Sequence, residues 1–459
     1  MKRIGILTAG GDTPALNATL HGAVTRANAL RIDMIGLIRG FGGLMHEQVP
    51  HVHLNPLFQA IPELDPTRGG SIIGSSRTYV DASNQAQLQA LGDRLKRLQL
   101  DGLICVGGDG TLNGLQPLTQ FVPTVLVPKT IDNDLGLNYL GEANEWVRES
   151  TTEDSFRCRR PTPGTAFDLE RMINYVTPGY ATAVFVAANG IHRVRTTAES
   201  HRRIAIVEVM GRHSGYIALG TSYGQPDIVL VPEAPIDLDR LAARVTDIYD
   251  MQQNVVIVCG EGVIDETGKD LGSEKMSTDP SGNVILSGAA EALKRRLLER
   301  IGNDYFESTR RGSRPGSAIF TRKVGHTQRG GRPVLFDRYY AAGLGGQAVD
   351  MLADGESNAV SVLQWNSNLG FHLDSIAGSV FIDRWGHIQA RKMHPDFYDS
   401  ASMKPSQTGI DYLLPIFTNA LGGDDVEHIR QTLFDSGNLQ RPYHSVNTDI
   451  RKRTQFVGE

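Results

Sequence analysis

Cysteine is scarce: three residues in 459, Cys105, Cys158 and Cys259, stand far apart with no CxxC or CxxH neighbours. That excludes a disulfide-stapled scaffold and gives no zinc-site spacing, and three reduced thiols fit a cytoplasmic protein. Charge of one sign is lacking too. With 46 Lys and Arg against 51 Asp and Glu, a net charge of -5 creates no field that would hold nucleic acid or an anionic membrane nonspecifically. Long hydrophobic runs are also missing. The apolar stretch after Met1-Lys2-Arg3 is cut by Gly10-Gly11-Asp12 before a signal segment or a membrane span is complete. The expected partners are therefore small molecules, not nucleic acid or membrane.

Glycine is abundant, with 50 residues and no collagen period. This points to loops where backbone approaches something closely. Residues 3–9 form an apolar run ending at Gly10-Gly11-Asp12, followed by the apolar-periodic stretch PALNATLHGAVTRANAL. That reads as buried strand, turn and helix. The pattern recurs at 33–40, 101–110 and 123–134, and again at 202–211, 226–233 and 254–262. Two series of βα units predict an α/β protein with two Rossmann-like, three-layer lobes, mostly parallel sheets, and a cleft between them at the strands' carboxyl ends. The expected division is a first lobe over 1–200, a second over 201–350, and a C-terminal extension over 351–459 that packs on the lobes. Residues 135–174 read as an inserted excursion, either lid, subunit contact or surface embellishment. The polar stretch 264–285 reads as an exposed loop.

Gly107-Gly108-Asp109-Gly110-Thr111 follows a strand and precedes a helix. Glycines there let N–H groups close on phosphate oxygens, and Asp109 suits the Mg²⁺ that accompanies a polyphosphate. NAD kinases and diacylglycerol kinases share this motif, and a plain tight turn also fits it. In Thr130-Ile131-Asp132-Asn133-Asp134, the carboxylates at i and i+2 of an extended loop point the same way. On spacing alone, they equally suit a cap on the next element.

The conjunction is more specific. LTAGGDTPALNA, PKTIDND (128–134), VEVMGR (207–212) and GHTQRGG (325–331) together resemble phosphofructokinases, over roughly 1–135 and 175–350. The resemblance implies that Asp132 takes the proton from the sugar 1-hydroxyl, that Asp134 supports the metal or the base, and that Thr130 bonds the acceptor or the moving phosphoryl. It implies that Asp109 anchors Mg²⁺, that Arg77 bridges donor and transferring phosphates with Thr78 beside it, and that Arg212 stabilises the spreading charge. Gly11 matches a backbone donor to the terminal phosphoryl. Phe41, Gly108, Gly110, Thr111, Gly114 and Lys129 match the rest of the donor site. Met210, Gly211, Arg212 and Glu233 match the groups that hold fructose 6-phosphate, while His326 and Arg329 match those on its 6-phosphate. Arg203 matches an arginine that reaches that phosphate from a neighbouring subunit, which implies a homodimer or homotetramer.

Two positions depart from the pattern. Phe320 stands where the family usually has an arginine, for which Arg322 or Arg314 are the candidate substitutes. His21 and Thr25 replace two effector-binding arginines of the bacterial allosteric enzymes, so that effector site is expected to be absent.

The donor is read from Gly110 and Lys129, a mixed pair. A carboxylate at 110 would crowd the α-phosphate of ATP, so Gly110 favours ATP. Lys129 is compatible with pyrophosphate as well. The expected activity is Mg²⁺-dependent transfer from ATP to fructose 6-phosphate. The alternatives are pyrophosphate as donor, another ketose phosphate such as sedoheptulose 7-phosphate as acceptor, and a non-catalytic sugar-phosphate-binding subunit.

Overall fold

The computed structural model describes residues 1–152, 155–159, 167–272, 286, 288–309, 315–428, 431, 434, 435, 438, 440, 441 and 443–458. Its strands, in chain order, are β1 (Arg3–Ala9), β2 (Asp33–Leu37), β3 (His51–His53), β4 (Ser75–Ser76), β5 (Gly102–Gly107), β6 (Thr124–Pro128), β7 (Val147–Thr152), β8 (Ser155–Arg159), β9 (Ile204–Val209), β10 (Ile228–Leu230), β11 (Val255–Gly260), β12 (Ile319–Lys323), β13 (Ala359–Asn366), β14 (Gly370–Ala377), β15 (Tyr398–Asp399) and β16 (Lys404–Pro405).

The larger sheet has the order β14-β13-β6-β5-β1-β2-β3, with β4 pairing to the end of β1. It is parallel except for its outer strands: β3 runs antiparallel to β2, and β14 antiparallel to β13. The smaller sheet, β10-β11-β9-β12, is parallel throughout. The seven strands read from apolar runs are all present. What those runs do not reveal is that β13 and β14, within the expected C-terminal extension, complete the larger sheet.

Alternation along each strand explains why these runs are apolar on both faces. In β1 and β5, Ile4, Ile6, Ile104 and Val106 enter one core. Their neighbours Leu7, Leu103 and Cys105 enter another, on the opposite face. The first core continues into the second lobe through Ala205, Val207, Val256 and Val258 of the smaller sheet. That sheet's outer face is buried separately by Ile204, Ile206, Ile257 and Cys259. One continuous apolar body thus joins both sheets and fixes their carboxyl ends around a common cleft.

Helix Leu335–Ala353 belongs by sequence order to the second lobe but packs on Leu16–Ala29 of the first. Glycine makes this crossing close: a Cβ on Gly22 would lie 1.9 Å from the Ala342 carbonyl oxygen, and one on Gly345 2.1 Å from that of Thr19. Pairing of Leu137 with Ile173 closes the base of the 135–174 excursion, and the antiparallel hairpin β7–β8 extends from it. Residues 153–154 and 160–166 of the excursion, 273–285 of the polar loop, and Arg314 lie outside the described residues.

Candidate active site

The cleft, of about 260 Å³, gathers loops from both sheets. From the larger sheet come Gly10-Gly11 after β1, Arg77 and Thr78 after β4, Gly108 to Thr111 after β5, and Lys129, Thr130, Asp132 and Asp134 after β6. From the smaller sheet come Arg212 after β9 and Arg329 after β12. Phe41 lines the same space.

Asp132 is almost fully buried, and its Oδ1 has no hydrogen-bond partner among the described residues. Its Oδ2 lies 3.9 Å from Arg212 Nε and 4.0 Å from Arg329 Nη2. A carboxylate beside two guanidiniums with one oxygen unengaged has the geometry to accept a proton. Thr130 Oγ1 accepts from the Asp132 N–H at 3.1 Å and so holds the turn. Asp134 is buried, with an orphaned Oδ1. Burial first, then Asp132 and Asp109 nearby, push its carboxyl up to about 7. Among the described residues no group of three or more His, Cys, Asp or Glu side chains is placed to hold a metal ion by itself, so a cation here would take one or two of these carboxylates and complete its shell with phosphate and water.

Lys129 occupies an unexpected place. Its Nζ donates to the Gly11 carbonyl and lies 3.4 Å from that of Ala9, beneath the first glycine loop. Burial, reinforced by Arg329 and Arg77 against the pull of Asp12 and Asp132, lowers its ammonium to about 7. A Cβ on Gly110 would meet nothing within 4 Å. One on Gly11 would lie 2.8 Å from Arg329 Nη1, so glycine at that position admits the guanidinium.

Other expected residues stand elsewhere. Gly114 is buried away from the cleft, and its missing side chain accommodates the Phe41 ring, 3.2 Å from the position of a Cβ. Met210 and Gly211 form the turn into Arg212, with the Met210 N–H donating to Gln328 Oε1 at 3.0 Å. Glu233 accepts from the N–H groups of Gly215 at 2.9 Å and Met393 at 2.8 Å, which ties two loops together. Its Oε2 is buried without a partner. His326 is exposed and lines an adjoining hollow with Gly11, Arg77 and Arg329. Arg203 precedes β9, seven residues from Met210, which puts it roughly 20 Å from the cleft in an extended strand. Phe320 packs on the apolar core, and Arg322 is exposed.

Several residues in or against the cleft were not among those expected. Asp12 follows the first glycine pair, and burial raises its carboxyl, opposed by Lys129. Glu261 is buried at the end of β11, accepts from the Arg212 N–H at 3.2 Å, and is pushed up to about 7 by burial and by Asp132. The rule that ligands sit at carboxyl ends of strands points to it. Two strands away on β12, Lys323 pairs in register with Glu208 of β9 and puts its Nζ 3.1 Å from Glu208 Oε1. His387, from beyond β14, lines the cleft beside Asn113. No local sequence pattern marks it.

Similarity to known proteins follows the same chain segments. The phosphofructokinase family model matches residues 3–139 and 168–352. ATP-dependent 6-phosphofructokinase 3 of Streptomyces coelicolor is 34% identical over 367 residues, covering 79% of this chain and 91% of that one. A pyrophosphate–fructose 6-phosphate 1-phosphotransferase of the same organism is 32% identical over 366 residues, covering 79% and 90%. The solved pyrophosphate-dependent phosphofructokinase from Nitrosospira multiformis shares the fold with a TM-score of 0.68 at 18% identity, covering 92% of each chain. Sequence match and fold agree over both lobes, and this chain belongs to the phosphofructokinase family.

Proposed function

We propose that the protein transfers the terminal phosphoryl of ATP to the 1-hydroxyl of fructose 6-phosphate in a Mg²⁺-dependent reaction, as a cytoplasmic homodimer or homotetramer. The observation that carries this reading is Asp132, buried, with one oxygen unengaged, between Arg212 and Arg329 in a cleft walled by glycine loops. Asp132 takes the proton of the 1-hydroxyl as its oxygen bonds to the γ-phosphorus, and the bond to the bridging oxygen breaks to release ADP. Arg212 is aimed at the charge that spreads over the transferring group, with Arg77 on the opposite wall, and Arg329, expected on the 6-phosphate, is proposed instead to share that task because its Nη2 lies 4.0 Å from Asp132 Oδ2. Thr130 and Gly11 orient the reacting groups.

Asp109 and Asp134 would hold Mg²⁺. The orphaned Asp134 oxygen and the like-charge crowding around it suit a cation that takes one or two carboxylates and completes its shell with phosphate and water. When bound, Mg²⁺ neutralises negative charge on the donor phosphates.

Gly110 supports ATP, because the open space beyond it leaves room for a nucleotide. Lys129 discriminates neither way, since its ammonium is engaged under the Gly11 loop. Pyrophosphate is the second reading. It is favoured by the Asn113 side chain, which pairs with Ile388 N and O at 3.2 and 3.3 Å and lines the cleft together with His387, so that two further side chains occupy its rim. Arg203 lies too far from its own cleft to reach it, which is compatible with the shared site that the family resemblance implies.

The test is a steady-state panel of ATP and pyrophosphate against fructose 6-phosphate and sedoheptulose 7-phosphate. Turnover of fructose 6-phosphate with ATP is expected to exceed all other combinations. Turnover with pyrophosphate alone would move the assignment to the second reading, and binding without turnover would make the protein a sugar-phosphate-binding subunit.

A further inference from the structure

The family match ends at residue 352, yet the segment beyond it touches the loop that carries Asp132. Arg391 is 2% exposed, and its guanidinium is spent entirely on backbone. Nη2 donates to the Asn133 carbonyl at 2.8 Å, Nε reaches the same oxygen at 3.3 Å, and Nη1 donates to the Asn174 carbonyl at 2.8 Å. Its own N–H donates to the Asp134 carbonyl at 2.6 Å. The plane lies 5.0 Å from the centre of the Tyr216 ring.

The receiving side is shaped for this guest. Asn133 has φ of +56°, a left-handed conformation that needs external support in a non-glycine residue. Its side chain is held as well: Nδ2 donates to the Tyr412 hydroxyl at 2.6 Å, and Oδ1 accepts from the Thr177 N–H at 2.9 Å. Gly136 has φ of +155°, and a Cβ there would lie 2.6 Å from Arg391 Nη1. Thus Asp132 and Asp134 flank a residue whose carbonyl and side chain are both fastened by the C-terminal segment.

We propose that Arg391, with Tyr412, is a positioning residue: it fixes the conformation of the Thr130–Asp134 loop and thereby the direction of the Asp132 carboxylate. A planar fork holds one carbonyl with two donors and a second with a third, a geometry that a lysine ammonium does not reproduce. The inference rests on the function proposed above, because its kinetic consequence requires Asp132 to act as the base. A misplacement of about 1 Å at a reacting group costs on the order of 100-fold.

The experiment compares Arg391→Lys, Arg391→Ala and Tyr412→Phe in the full chain. Turnover, thermal unfolding, and amide hydrogen exchange at residues 130–134 are measured for each. Expected results are a kcat loss of roughly 10- to 100-fold in Arg391→Lys with both KM values little changed, a smaller kcat loss in Tyr412→Phe, and faster exchange at 130–134 in both. Low-millimolar guanidinium is expected to restore part of the turnover of Arg391→Ala. If Arg391→Ala does not fold, the two milder variants decide. Wild-type kcat per folded molecule in both, or a loss confined to KM, would overturn the proposal. If the wild-type protein phosphorylates no sugar phosphate, the functional reading fails separately, and unchanged exchange at 130–134 would then overturn the positioning role by itself.

Discussion

The two walls of the cleft are both built at the carboxyl ends of parallel strands but differ in chemistry. The wall on the larger sheet mixes glycine backbone, three carboxylates, Asp109, Asp132 and Asp134, and two cations, Arg77 and Lys129. The wall on the smaller sheet offers guanidiniums, Arg212 and Arg329, backed by buried Glu261. A single chain completes the first wall. The second is unfinished: His326 faces an open hollow, Arg203 lies at the far end of β9, and apolar Phe320 occupies β12. The contrast separates a donor side whose expected groups meet in one chain from a sugar-phosphate side whose expected groups, His326 and Arg203, do not, which is where the proposed shared site can be tested.

The sharpest break of the contrast is to remove a cation from the smaller wall. Arg212→Met is expected to lower kcat by roughly 10²–10³-fold, the effect of losing one preorganised donor to a transition state. Unchanged kcat with a raised KM would make Arg212 a binding group only. Next is the shared-site claim. Arg203→Ala is expected to raise KM for fructose 6-phosphate, and at substrate far below that raised KM, co-assembly of equal amounts of Arg203→Ala and Asp132→Asn chains should return about a quarter of wild-type turnover, because hybrids contain one intact site. No recovery in verified hybrids would place the whole site within one chain.

A smaller effect tests the larger wall. Gly110→Asp is expected to raise KM for ATP by about tenfold, through charge and bulk in space now open. Competition kinetics with pyrophosphate would report whether the loss is specific to the nucleotide. The smallest effect is on stability. Lys129 has a native pKa near 7 against 10.5 unfolded. Between those values the unfolded chain binds the extra proton, so this group makes stability rise with pH above about 7, by less than about 1.4 kcal/mol per unit. Urea midpoints at pH 7 and 9 should differ less in Lys129→Met than in the wild type, and equal differences would show the ammonium is not held as described.

Legibility in the sequence follows the same division. Strands such as Arg3–Ala9 and Val255–Gly260 were readable because burial on both faces demands unbroken apolar runs. The glycine loops and the 130–134 carboxylates were readable because their function fixes residue type at short spacing. β13 was not, because its neighbour β6 lies more than two hundred residues away and its outer end carries the polar, half-buried Gln364 and Asn366. Nor were Arg391 and His387, whose importance lies in what they meet across the fold. Glu261 and Lys129 show an intermediate case: the residue was in plain view, but burial and partners determined its role.

The most direct test of the account is turnover of wild-type and Asp132→Asn protein with fructose 6-phosphate and Mg²⁺-ATP, with the product followed by phosphorus NMR. The wild type is predicted to form the 1,6-bisphosphate and ADP in equal amounts, and Asp132→Asn to fold normally but turn over ~10²–10⁴-fold more slowly. Bisphosphate formation by Asp132→Asn at the wild-type rate would contradict it.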